Sequence, residues 1–101
     1  MDSGIYFIGC SSFVKIGVAW SVRQRFTQLQ VANPLPIVPL GFIAEPDSGV
    51  ALITERRIHE RFIDIRHRGE WFRRTADLEA FIVDVATTWP KAEGHRRRKR
   101  P

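Results

Sequence analysis

Two β-forming runs follow one another at the start of this chain, and they constrain its fold more than any other feature. "GIYFIG" covers residues 4–9 and "FVKIGV" covers residues 13–18. Between them, Gly9-Cys10-Ser11-Ser12 is a turn signal. So short a connection joins only antiparallel strands, which predicts a β-hairpin. Alternation puts Tyr6 and Ile8 on one face, and Ile5 and Phe7 on the other. Each run carries one polar residue of chemical interest, Tyr6 in the first and Lys15 in the second. Whether the two share a face depends on the register. Two readings stay open: a hairpin that only builds a core, or one that presents Tyr6 and Lys15 to a common site.

The rest of the chain supplies the layers that cover such a hairpin. Ser21 is a good N-cap for a helix over 22–31, with Val22, Phe26 and Leu29 as its apolar stripe and Arg25 on the flank. Asn33-Pro34 ends it. A third strand is expected over 39–44, with Pro39 at its start or on an edge. "EPDSG" at 45–49 is a loop. A second helix over 49–63 has Ala51, Ile58, Phe62 and Ile65 on its buried side. Glu55 sits on the edge of that stripe, and His59 lies one turn further on. "RHRGEWF" at 66–72 reads as a turn and a short extended piece. Thr75 caps a third helix over 76–89, with Leu78, Phe81, Ile82, Val85 and Trp89 as its apolar face. The expected fold is α+β: a small three-stranded antiparallel sheet flanked by about three helices, in the order β-β-α-β-α-α.

At 101 residues this is one domain. The net charge of +5 is concentrated at the end. Residues 91–101 hold Lys91, Arg96, Arg97, Arg98, Lys99 and Arg100 against Glu93, while residues 1–90 hold ten basic and ten acidic side chains. This divides the chain into a neutral body, 1–90, and a basic tail, 91–101, expected to be disordered. Cys10 is the only cysteine, which excludes an internal disulfide and a Cys-based zinc site. The longest apolar stretch, "PLPIVPLGFIA", is too short for a bilayer and holds three prolines. With no visible secretory signal, the expectation is a cytoplasmic protein with no membrane partner.

"GIY" at 4–6, "KIG" at 15–17, Arg25 eight residues after Gly17, and Glu55 on a later helix resemble the GIY-YIG nuclease superfamily. "RFTQLQVANPLP", "ERRIHERF" and "GEWF" resemble a small stand-alone bacterial and phage subfamily, over residues 4–85. Lys15 and Leu29 stand where many members have Tyr, and His or Tyr. The resemblance implies a metal-dependent endonuclease that hydrolyses DNA phosphodiester bonds through one active site, using Mg2+ or Mn2+. The alternative is a non-catalytic nucleic-acid-binding module on the same fold. Either one has DNA as partner, and a protein partner supplying specificity is a further expectation.

Such hydrolysis needs an activated water, neutralised phosphate charge and a helped leaving oxygen. Under the resemblance, Glu55 is the metal ligand, since magnesium accepts a single carboxylate plus waters. Arg25 clamps the phosphate with its planar fork. Tyr6 is general base or water-orienting group; a free Tyr has a pKa of ~10, so a base role needs a nearby positive charge. Lys15 supplies that charge or binds phosphate itself. His59 is a second ligand, a proton carrier or a structural residue. Bland readings stand beside each: a solvated Glu55 paired with an Arg, an Arg25 stem covering apolar surface, a core Tyr6 and an exposed Lys15. Arg23, Arg56, Arg97 and Arg98 are candidate nucleic-acid contacts. Asn33 is expected to shape its loop, and Glu70 to pair with a local arginine.

Overall fold

The computed structural model describes residues 2–88. Strands β1 (Gly4–Cys10) and β2 (Phe13–Ala19) form the opening hairpin, and helix α1 (Val22–Ala32) follows. Then come β3 (Val38–Ala44), helix α2 (Ser48–Arg61) and a 3-10 turn at Ile63–Ile65. Two short strands, β4 (Arg66–Arg68) and β5 (Trp71–Arg73), precede helix α3 (Ala76–Val85). All the strands join one antiparallel sheet in the order β3-β1-β2-β5-β4.

This corrects the expected three-stranded sheet to a five-stranded one. "RHRGEWF" is not a turn into a lone extended piece but a hairpin around Gly69, whose φ of 55° suits glycine. β5 pairs with β2 over Phe13–Lys15, so the opening hairpin has neighbours on both sides. The third helix also stops earlier than expected, at Val85. Thr87 instead bridges Phe42 on the outer edge of β3, donating and accepting backbone bonds of 2.9 and 3.1 Å. Trp89 and the basic tail, including Arg97 and Arg98, lie outside the described residues.

The helices begin where capping chemistry allows. The side chains of Ser21, Asp47 and Thr75 accept from the backbone N–H groups of Gln24, Val50 and Leu78. The sheet separates two cores. On one face, α2 and α3 pack Ala51, Ile58, Phe62, Leu78 and Ile82 against Ile5, Phe7, Val14, Ile16 and Phe72. On the other, α1 places Val22, Phe26 and Leu29 against Tyr6, Ile8 and Phe42. α1 packs on β1 and β2 on that face, with Trp71 of β5 beside its core. Ile8 pairs with Lys15 and Tyr6 with Gly17, and directly opposed residues of an antiparallel pair share a face. Tyr6 and Lys15 therefore stand on one side of the sheet.

Candidate active site

The geometry converges on Gly17. A Cβ there would lie 2.4 Å from the Tyr6 hydroxyl and 2.8 Å from Glu70 Oε1, so only glycine leaves room for both groups. β5 covers β2 only as far as Lys15. Beyond it, the edge of β2 is met by single groups instead of a strand. Ile16 N–H donates to the Glu70 carbonyl at 2.9 Å, and the Ile16 carbonyl lies 2.9 Å from His59 Nε2. Through that open edge, α2 brings Glu55 to the same place.

Tyr6 is fully buried, and its hydroxyl has no hydrogen-bond partner among the described residues. Burial pushes its pKa up to about 12; the Glu70 charge adds to the rise, and Arg25 opposes it without forming a well-shaped hydrogen bond. In its protonated form the phenol is a hydrogen-bond donor. Glu55 is pushed up to about 7, by burial first and then by the charge and hydrogen bond of Glu70, with Lys15 and Arg56 pulling the other way. The like charge of a neighbouring carboxylate favours the protonated form of Glu55. Lys15 Nζ lies 3.3 Å from Glu70 Oε1, so Glu70 pairs with the lysine of the neighbouring strand and not with a local arginine.

Tyr6, Lys15, Arg25 and Glu55 are thereby brought together. His59 is at the margin: its Nε2 is 4.0 Å from Glu55 Oε2, too far for a hydrogen bond. A carbonyl only accepts, so His59 Nε2 carries the proton given to Ile16 and is closed to a metal. The ring also packs on Phe72 at 4.9 Å. Arg23 is held by Asp2 at 3.1 Å. Arg56 is exposed on α2. Asn33 accepts from the Leu35 N–H and shapes its loop. Glu70 was not among the residues read as catalytic.

Among the described residues no group of three or more His, Cys, Asp or Glu is placed to hold a metal ion. The available donors are Glu55 and Glu70. Their mutual repulsion is what a cation would relieve, and a carboxylate pair suits magnesium, which keeps most of its waters. A broad hollow of about 620 Å3 between the end of α2 and α3 touches none of these residues.

A small α+β domain with a charged cluster at a sheet edge, built around a buried phenol, is the class this fold and site define. The chain belongs to the T5orf172 domain family, whose model matches residues 4–90. This corrects the resemblance drawn from the motifs: the match is to that family and not to GIY-YIG nucleases. The motifs were short, and Lys15 already stood where the second of them wants tyrosine. The T5orf172 domain is nucleic-acid-associated. No curated protein and no solved structure matches the chain. No helix among the described residues is long and apolar enough to cross a membrane.

Proposed function

We propose that this domain engages DNA and that the cluster around Gly17 hydrolyses its phosphodiester bonds. The observation that carries this reading is the Tyr6 hydroxyl, buried without a partner among charged groups. A core tyrosine finds an acceptor for its O–H. One left unmet beside an arginine lacks an acceptor, and a phosphate oxygen that reached it by displacing the covering side chains would have that chemistry.

In this reading Tyr6 donates to a non-bridging oxygen, and the Arg25 fork and Lys15 ammonium neutralise charge that grows in the transition state. Glu55 and Glu70 would hold a divalent cation, Mg2+ or Mn2+, which when bound would polarise the phosphate and lower the pKa of water. His59 fixes the β2 edge that carries Gly17.

A second reading, a binding module without cleavage, is favoured by the Lys15–Glu70 pair, which satisfies both groups internally. Nicking of supercoiled plasmid in Mg2+, Mn2+ or EDTA separates the two. Hydrolysis predicts metal-dependent nicking that Arg25→Ala slows by about 10²–10³ while DNA binding persists. Binding with no nicking in any metal leaves the second reading.

A further inference from the structure

On the face of the sheet that carries α1, β1, β2 and the β4–β5 hairpin line a cleft of about 260 Å3. Its walls are Trp71, Phe13, His67, Arg68 and the buried Cys10. The Phe13 and His67 rings lie 4.6 Å apart at 34°, a tilted stack at the rim. Lys15 Nζ sits 5.3 Å from the Trp71 ring centre, and the same ammonium reaches Glu70. Trp71 directly follows Glu70 in the chain. The cleft and the charged cluster are therefore neighbours that share Lys15.

Three features define an occupant. The walls are flat and aromatic, which suits a planar π-system. The volume is below the roughly 300–1,000 Å3 of drug-sized ligand sites, so it suits one ring system. The exposed charge in its wall, Arg68, is positive, which complements a phosphate. A protein side chain would bring the ring without the anion.

We propose that this cleft receives one unpaired nucleobase of a bound DNA strand, from the nucleotide flanking the phosphate at the Gly17 cluster, with Arg68 on its phosphate. The inference rests on the proposed engagement of DNA and adds a substrate class to it. A base reaches Trp71 and His67 only when it is out of the stack, and unstacking costs least where the base is already unpaired. The domain thus selects single-stranded, bulged or flapped DNA over continuous duplex.

The test compares two labelled duplexes of one sequence, one fully paired and one with a single-nucleotide bulge, in EDTA with the full chain. The bulged duplex is expected to bind about ten-fold tighter or more, the size of one base–aromatic stack. Trp71→Leu and His67→Ala should bring the ratio towards one while leaving the affinity for paired duplex and its salt slope unchanged. Trp71→Phe, which keeps an aromatic face and the packing, should retain most of the preference. Arg68→Ala should reduce the salt slope for the bulged DNA by about 1. Tight, equal binding of both duplexes overturns the cleft assignment and leaves the proposed function standing. A preference that survives both Trp71→Leu and His67→Ala overturns it as well. No binding of either DNA at low salt overturns the inference together with the DNA reading beneath it.

Discussion

Glu55 and Gly17 show how single residues set the properties of this domain. The Glu55 carboxyl titrates at about 7 in the folded chain against an ordinary 4.5. The folded value is the higher one, so the proton it holds stabilises the fold below pH 4.5, and this is lost as pH rises through 7. Glu55→Gln carries no charge at any pH. Its melting temperature relative to the unaltered chain should therefore climb across that window, and a flat difference would show that Glu55 is not proton-coupled to the fold. The same variant should abolish metal-dependent nicking in the plasmid assay. Gly17→Ala would push a methyl into the Tyr6 hydroxyl and Glu70. Overpacking of this kind costs about 1–3 kcal/mol, readable as a lower urea midpoint. The groups that need this space, Tyr6 of β1 and Glu70 of the β4–β5 turn, come from elsewhere in the chain, so the demand for glycine at 17 was not legible in the sequence.

Among the elements, α2 has the most exacting job, since it presents both Glu55 and His59 to the β2 edge. Asp47 caps it by accepting from the Val50 N–H at 3.0 Å. Asp47→Ala is expected to cost about 1 kcal/mol in urea unfolding, with a larger proportional loss of nicking if fraying of the first turns displaces Glu55. Helices, opening hairpin and third strand were all legible, because each has a cap, a turn or a full apolar period of its own. β4 and β5 were not. Three residues each, and "RHR" wholly polar, they have no alternation to read. β5 is a strand because β2 offers it an edge, and β4 because it pairs back onto β5. The early end of α3 has the same origin: residues 86–88 leave the helix and Thr87 pairs with Phe42 on the sheet edge. Glu70 went unread as a site residue for this reason too, since its place beside Lys15 follows from a register that only the folded sheet defines.

For the molecule as a whole, charge is divided between a neutral body and a basic end. Removing residues 91–101 should weaken DNA binding at low salt and leave the rate of cleavage of bound DNA nearly unchanged. If all six basic side chains met phosphates, the slope of log affinity against log salt would flatten by about 5 units. The measurement is affinity over a salt series for residues 1–90 against the full chain. An unchanged slope would assign the basic end to some other contact.

The open edge of β2 has a consequence for how such a protein is made. Residues 4–19 contain the local hairpin and can pair soon after leaving the ribosome, since closing short loops is fast and hairpins form in microseconds. The cluster at Gly17 waits for Glu55 from α2 and then for Glu70 and Trp71 from a hairpin some fifty residues after Gly17. At about 5–20 residues per second of synthesis, the chain spends seconds partly built, with Tyr6 and Lys15 present and the carboxylate pair absent. Under the proposed function, a nascent or truncated chain ending before the β4–β5 hairpin lacks Glu70 and would not cleave DNA.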